Sequence, residues 1–347
     1  MKSLYDLNYE QIQEYALQSG WKKFRGHQIF QWLYRNRVHE IDEMSNLNKE
    51  TRANLSETFI ISPIKLKIKQ VSTDGTIKYL FELQDGSLVE SVLMVYDYGK
   101  SVCVSSQVGC NMGCKFCASG LLKKKRDLTS GEMVAQIIYI QQELDQANDR
   151  LSHVVVMGTG EPFDNYDNVM NFLATINHDC GLGIGARHIT VSTCGVVPKI
   201  LEFSDCQVQY NLAISLHAPN NELRNQLMPI NKAYPIEKLM ESIDYYLTKN
   251  NRRLTFEYIL LKDVNDSMSH VKQLANLLRG YNAYVNLIPY NSVDEHGYKG
   301  INHQQAMVFY DALMKLGIRC TIRKEHGGDI DAACGQLRAK QILNKQR

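Results

Sequence analysis

The most informative stretch of the sequence is a short loop with three cysteines, Cys110, Cys114 and Cys117, at C-x3-C-x2-C spacing. Three thiolates on one loop can hold three corners of a cubane 4Fe–4S cluster, because such clusters are held by cysteine thiolates. The run contains no fourth cysteine, so one iron would stay open to chelate S-adenosylmethionine (SAM) and pass it one electron. Zinc is the alternative, but zinc loops of this kind combine two ligand pairs, and the chain has no second pair. The spacing therefore favours the cluster.

Small polar residues end several of the apolar segments that follow this loop. The first such end is Gly158-Thr159-Gly160-Glu161-Pro162, whose glycines let the backbone approach a ligand closely. Glu161 could accept a hydrogen bond from the SAM ammonium group. The later ends contain Ser192, Ser215-Leu216-His217 and Asn291. Each alone is typical of an ordinary polar strand end, but together they predict a SAM site beside the cysteine loop.

Two groups of basic residues are candidates for contact with nucleic acid. The first group directly follows the cysteine loop and consists of Lys123, Lys124, Lys125 and Arg126. The second lies near the N-terminus and consists of Lys22, Lys23, Arg25, Arg35 and Arg37. Such residues form either a solvated face or a phosphate-binding surface, and charge alone leaves both interpretations open.

Two further cysteines, Cys103 and Cys334, lie on a candidate strand and near the C-terminus. Taken by themselves, they are more typical of buried apolar cysteines than of reactive ones.

The apolar pattern predicts an α/β protein in three parts. Residues 1–62 are predicted as a small helical N-terminal accessory domain that binds RNA. In residues 63–97, apolar and polar positions alternate on either side of two Asp-Gly turns. This pattern is typical of a short antiparallel β linker. Residues 98–347 repeat strand and helix and predict a partial (βα)6 barrel with its chemistry at the C-terminal strand ends. The candidate strands are 102–106, 153–157, 188–192, 208–216, 254–261, 284–289 and 319–323.

Composition places the chain among ordinary globular proteins. The 347 residues are 44% hydrophobic and 22% charged, and no apolar run is long enough to span a bilayer. The N-terminus does not have the pattern of a signal peptide, so we expect a cytoplasmic protein whose nine cysteines are reduced. A net charge of +2 does not by itself indicate a nucleic-acid partner.

Over almost its whole length the sequence resembles the radical-SAM RNA adenine C2 methyltransferases, the RlmN/Cfr family. A collinear set of motifs carries the resemblance: FRGHQIFQWLY, CVSSQVGCNMGCKFCASG, VVMGTGEPFDN, HITVST, AISLHAPN, LMPIN, NLIPYN and DIDAACGQL. Pro162 follows the Gly-Glu pair, where the C8-modifying relatives commonly carry alanine, and this favours C2. Cys194 is a departure, since the family commonly has serine there.

The resemblance implies a role for each motif. It implies a 4Fe–4S cluster on Cys110, Cys114 and Cys117 within a radical-SAM barrel. It implies SAM contacts at Gly160, Glu161, Ser192, Ser215, Leu216, His217 and Asn291. It also implies that Cys334 carries a methyl group, that Cys103 resolves the resulting protein–RNA adduct through a transient disulfide, and that Glu90 is the proton acceptor.

The resemblance further implies the partners and the reaction. Two SAM molecules would be used per turnover, and C2 of adenosine would be methylated in 23S rRNA and in tRNA, 3′ of the anticodon. A flavodoxin or ferredoxin would supply the electron to a monomeric enzyme without a membrane partner. The alternatives are a C8-specific Cfr-type methyltransferase and a zinc-stabilised RNA-binding protein without catalysis.

Overall fold

The computed structural model describes residues 1–121, 123–291, 296–330 and 337 of the chain. Its N-terminal part is helical, and the short strands on either side of the helices pair in parallel. The elements of this part are β1 (Lys2–Ser3), α1 (Tyr9–Gln18), α2 (Lys23–Gln31), α3 (Lys49–Thr58) and β2 (Phe59–Ile60). Asn8 and Asn48 cap α1 and α3 with side-chain oxygens that accept backbone N–H bonds, which satisfies donors that a helix start leaves unpaired.

One ten-stranded sheet forms the centre of the molecule. Its strands are β3 (Ile64–Val71), β4 (Ile77–Leu83), β5 (Leu88–Tyr96), β6 (Gly99–Val104), β9 (Leu151–Val156), β10 (Ile189–Thr193), β11 (Asn211–Ser215), β12 (Leu254–Leu260), β13 (Ala283–Pro289) and β14 (Cys320–Ile322). A separate antiparallel pair consists of β7 (Gln107–Val108) and β8 (Arg126–Asp127). The spatial order is β14-β13-β12-β11-β10-β9-β6-β5-β4-β3.

The sheet changes character at β6. Strands β3 to β6 pair in antiparallel fashion, whereas β6 and β9 to β14 pair in parallel. The residues assigned from sequence to an antiparallel linker therefore extend the barrel sheet itself. The domain boundaries remain a prediction.

Helices connect the parallel strands in the described part of the chain. They are α4 (Ser130–Asp145), α5 (Tyr166–Asn177), α6 (Val197–Ser204), α7 (Asn221–Leu227), α8 (Ile236–Lys249), α9 (Met268–Leu277) and α10 (His303–Lys315). Six crossovers between seven parallel strands give the repeated βα units of a partial barrel. The predicted α/β class is confirmed.

The N-terminal helices and the sheet share one apolar core. Ile29 and Phe30 of α2 are fully buried in the same cluster as Val134 and Ile138 of α4 and the barrel strands. The Gly131 amide at the start of α4 donates to the Asp6 carboxylate at 2.9 Å. These contacts fix the helical part against one side of the barrel.

The chain beyond β14 crosses towards the opposite edge of the sheet. The Gly327 amide donates to Asp74 at 2.9 Å, and Asp329 accepts from the Ser72 hydroxyl and the Thr73 amide. Leu337 packs on Leu80 and Leu88. The described residues on both sides of 331–336 thus contact the antiparallel strands. No helix among the described residues is long and apolar enough to cross a membrane.

Candidate functional site

The cysteine loop follows β7 and is held by backbone contacts to distant elements. The Lys115 amide donates to the Leu227 carbonyl at 2.9 Å, and the Tyr290 hydroxyl donates to the Phe116 carbonyl at 3.1 Å. Gly109 and Gly113 have positive φ angles of 87° and 70°, which glycine adopts without strain. The loop therefore lies across the C-terminal ends of the parallel strands.

The three thiols line a single cavity of about 190 Å³. Burial, with a smaller contribution from Cys117, raises the pKa of Cys110 to about 11. Burial also raises the pKa of Cys114, and Cys117 and Cys110 add to that effect. Cys110 and Cys114 thus resist ionisation, and a cationic iron centre in the cavity that the three cysteines share would stabilise their thiolate forms. The residues therefore fit a cluster.

Five of the predicted SAM residues line this same cavity, and they come from the ends of successive strands. They are Gly160, Glu161, Ser192, Ser215 and His217. The Ser192 and Ser215 hydroxyls are 3.4 Å apart. The arrangement places hydroxyl, carboxylate and imidazole groups around the space next to the thiols, as a SAM ligand would require.

Glu161 also ties two strand ends together. Its Oε2 accepts from the Cys194 amide at 2.8 Å and its Oε1 accepts from the Phe163 amide at 3.0 Å. Burial raises the pKa of this carboxyl group, while the two amides favour the ionised form. A carboxylate so held is oriented before any ligand arrives.

The glycines beside Glu161 are required by the protein itself. A Cβ at Gly158 would lie 2.6 Å from the Val104 carbonyl oxygen. A Cβ at Gly160, where φ is +118°, would lie 2.7 Å from Gln107 Cβ and from Ser106 Oγ. The sequence argument explained these glycines by close approach to a ligand; the structure shows in addition a close approach to the loop after β6.

His217 is a neutral imidazole with a fixed orientation. Its Nδ1 accepts from the Ile259 amide at 3.1 Å, and its ring meets Phe116 edge-on at 4.9 Å. Burial, helped by Arg224, lowers its pKa to about 3. Because Nδ1 is an acceptor, the proton is on Nε2.

A second cavity of about 270 Å³ adjoins the first. It contains Cys103 and Asn291, and it shares with the first cavity the side chains of Phe116, Cys117, Met157, His217, Ile288 and Arg323. Cys103 is 4% exposed and lies on β6 opposite Val92. The structure thus brings Cys103 and the cysteine loop to adjoining spaces.

Two of the remaining predicted site residues, Leu216 and Glu90, do not line either cavity. Leu216 is fully buried, and its amide donates to the Glu257 carbonyl at 3.1 Å, so its side chain belongs to the core. Glu90 is 3% exposed on β5, and its Oε2 lies 2.8 Å from the Lys78 ammonium nitrogen. Cys334 lies outside the described residues. The roles assigned to all of the site residues remain predictions.

Most of the basic run after the cysteine loop is paired within the protein. Lys124 contacts Asp127 and Asp164, Lys125 contacts Asp85, and Arg126 contacts Asp85 and Glu132. Lys123 is exposed. Of the four cations proposed to bind phosphate, Lys123 is therefore the main remaining candidate.

Sequence reasoning missed three charged residues near the site. Glu257 on β12 and Arg323 just after β14 line the first cavity, and Arg224 on α7 is fully buried. Asn286 donates to Glu257 at 2.8 Å. A lone acidic residue in the apolar strand LTFEYIL was the available signal, since a buried charge needs a specific partner.

Comparison with known proteins agrees with this geometry. Residues 104–278 match the model of the radical SAM superfamily. A crystal structure of a radical SAM methyltransferase from Sphaerobacter thermophilus is 42% identical, superposes with a TM-score of 0.94, and covers 98% of this chain and 100% of its own. The fold and site define a radical-SAM enzyme, a class that uses a 4Fe–4S cluster and SAM.

Two further comparisons give the family. Residues 2–61 match the N-terminal domain of the ribosomal RNA large subunit methyltransferases. Proteins named probable dual-specificity RNA methyltransferase RlmN are 60% identical in Enterococcus faecalis, covering 99% of this chain and 98% of theirs, and 56% identical in Oceanobacillus iheyensis, covering 98% and 97%. The chain belongs to the RlmN family of radical-SAM RNA methyltransferases.

Proposed function

We propose that this enzyme methylates C2 of adenosine in 23S rRNA and in tRNA through a methylated Cys334 and a transient protein–RNA adduct. The observation that carries the proposal is the adjoining pair of cavities, one lined by the three loop cysteines and the other by Cys103. The dual specificity in the names of the relatives supports two RNA substrates.

Cys110, Cys114 and Cys117 would hold the cluster, and Gly160, Glu161, Ser192, Ser215 and His217 would surround SAM. When bound, the cluster supplies one electron, delivered by a donor such as flavodoxin or ferredoxin, that cleaves SAM to methionine and a 5′-deoxyadenosyl radical. Glu161 would accept from the SAM ammonium group through lone pairs that its two amide partners leave available. Asn291 and Leu216 would contribute from the rim and the backbone of the site.

Cys334 would act first, because adenine C2 is too weak a nucleophile to displace a methyl group from SAM directly. Its thiolate takes a methyl group from one SAM molecule. The methyl group then loses a hydrogen atom to the radical from a second SAM, and its carbon bonds to C2. The described flanks of this segment, Asp329 and Leu337, contact strands β3 to β5 or their turns, in the sheet that carries Cys103.

Glu90 and Cys103 would complete the cycle. Glu90, held beside Lys78 at 2.8 Å, would take the proton from C2, and the unpaired electron on the adduct would pass to a one-electron acceptor such as the oxidised flavodoxin or ferredoxin. The Cys103 thiolate would then attack the sulfur of Cys334, so that the carbon–sulfur bond breaks, the released carbon takes up a proton to become the methyl group, and a Cys103–Cys334 disulfide forms. Two electrons from a cellular thiol would reduce the disulfide.

Nucleoside mass spectrometry tests the position of methylation. RNA from a deletion strain should lack 2-methyladenosine in 23S rRNA and tRNA, and expression of this enzyme should restore it. Recovery of 8-methyladenosine would instead identify a C8 enzyme. A colourless protein that contains zinc and no iron after anaerobic purification would exclude both.

The Cys103→Ala variant tests the adduct. Methylation of Cys334 and formation of the adduct do not need Cys103, whereas release does, so the variant should purify with covalently bound RNA that survives denaturation. The Cys103→Ala/Cys334→Ala double variant should carry none. Cys320→Ala is the matched control, because Cys320 is also a buried cysteine in a strand of the sheet. Its thiol donates a hydrogen bond to the Tyr310 carbonyl. Normal turnover without bound RNA in Cys103→Ala would contradict the proposal.

A further inference from the structure

One buried cation near the cysteine loop is not used by the proposed reaction. Arg224 on α7 is fully buried. Its Nε donates to the Leu216 carbonyl at 3.2 Å and its Nη2 to the Cys194 carbonyl at 2.7 Å. Its Nη1 donates to Asn231 Oδ1 at 2.9 Å. The guanidinium thus joins the ends of β10 and β11, which carry Ser192 and Ser215.

The helix that carries Arg224 also supports the cysteine loop. The Leu227 carbonyl at its end accepts from the Lys115 amide. Leu223 and Leu227 belong to the apolar cluster that contains Phe116 and against which Cys114 packs. Helix α7 therefore contacts the loop that would bind the cluster through its last turn, and it contacts the strand ends that would bind SAM through the Arg224 side chain.

No carboxylate among the described residues pairs with the Arg224 guanidinium. All the acceptors of its guanidinium in the described part of the chain are neutral oxygens, and a buried cation without an anion is costly. Burial lowers its pKa to about 10, so it remains protonated at neutral pH, and Cys194 and Cys114 favour the charged form. A cluster bound by thiolates would place negative charge near this cation.

We propose that Arg224 is a positioning residue that fixes the cysteine loop against the SAM-binding strand ends, and that its charge stabilises the reduced cluster. The proposal rests on the proposed function only where that function assigns the cluster to Cys110, Cys114 and Cys117. Reduction makes the cluster one unit more negative, so a nearby fixed cation favours the reduced state. Removing that cation should make the cluster harder to reduce.

Potentiometric titration of the purified holoenzyme, followed by electron paramagnetic resonance, tests the charge. In Arg224→Gln the ratio of reduced to oxidised cluster at a fixed potential should fall about tenfold, which is ~59 mV for a one-electron couple. Arg224→Lys keeps the charge but cannot make the forked contacts, so its potential should stay near wild type while SAM binds more weakly. An unchanged potential in iron-loaded Arg224→Gln would overturn the proposal.

A second variant covers the case in which Arg224→Gln does not fold or load. Asn231→Asp keeps the shape of the acceptor at Nη1 and places a carboxylate against the guanidinium, so the same shift to harder reduction is expected. A wild-type potential in this variant would also overturn the proposal. A wild-type protein that binds no iron would instead overturn the proposed function, which keeps the two failures distinct.

Discussion

At the scale of single residues, the site depends on groups whose protonation is set by burial. His217 is the clearest case, because burial lowers its pKa to about 3 from 6.5. The unfolded chain takes up a proton on this residue below pH 6.5 that the folded protein does not accept. Its contribution to stability is therefore complete above pH 6.5 and is lost as the pH falls towards 3.

We expect that His217→Asn reduces the acid sensitivity of the apo-protein. Asparagine can replace the Nδ1 acceptor and tolerates the positive φ of 57° at this position. The free energy of unfolding, measured in urea between pH 7 and 5, should fall less steeply in the variant, by up to about 1.4 kcal/mol per pH unit. Identical slopes in the two proteins would show that His217 is protonated in the folded state.

The buried Lys78–Glu90 pair gives a second prediction at this scale. The side chains are 0% and 4% exposed, so Lys78→Met removes the ammonium group that pairs with a buried carboxylate and should cost roughly 3–5 kcal/mol in urea unfolding. Lys78→Met/Glu90→Gln should recover most of that loss. The control is Lys67→Met, which breaks the more exposed Lys67–Glu82 pair and should cost at most about 1 kcal/mol. A double variant no more stable than Lys78→Met would contradict the expectation.

At the scale of elements, the turn after β9 is the tightest part of the site. Gly160 and Gly183 both have positive φ, at +118° and +64°, but only a Cβ at Gly160 would meet other atoms within 4 Å. Gly160→Ala should therefore lose about 1–3 kcal/mol more stability than Gly183→Ala, because overpacking and the less favourable φ at Gly160 both add to the loss. Thermal and urea unfolding of both variants measure the difference, and equal losses would mean that the turn relaxes freely.

At the scale of the whole molecule, the cations of the run after the cysteine loop differ in how far they are paired with carboxylates. Lys123 is exposed, whereas the Lys124 ammonium lies 2.8 Å from both Asp127 and Asp164. Lys123→Gln should weaken RNA binding and reduce the slope of log affinity against log salt by about one. Lys124→Gln is the matched control and should leave the slope nearly unchanged. Equal effects of both substitutions would indicate that the paired cations of the basic run also contact RNA phosphates.

Much of the fold could be predicted from the sequence because the relevant signals are local. The seven strands of the parallel sheet were predicted because apolar periodicity and turn residues act over a few positions. Boundaries were less accurate: the strand predicted at 208–216 forms only over Asn211–Ser215, and the one predicted at 102–106 begins at Gly99. The cysteine spacing likewise indicated its chemistry directly.

Only the tertiary structure decided which groups meet. In the folded protein the antiparallel strands continue into the barrel sheet, and most of the basic run after the cysteine loop is paired with carboxylates. Cys103 lines a cavity next to the cysteine loop, and the Leu216 side chain is buried in the core. The tertiary structure also revealed Arg224, whose partners Cys194 and Leu216 are 30 and 8 positions away. Such contacts depend on how distant elements pack, and a side chain's neighbours across the core leave no periodic pattern in the sequence.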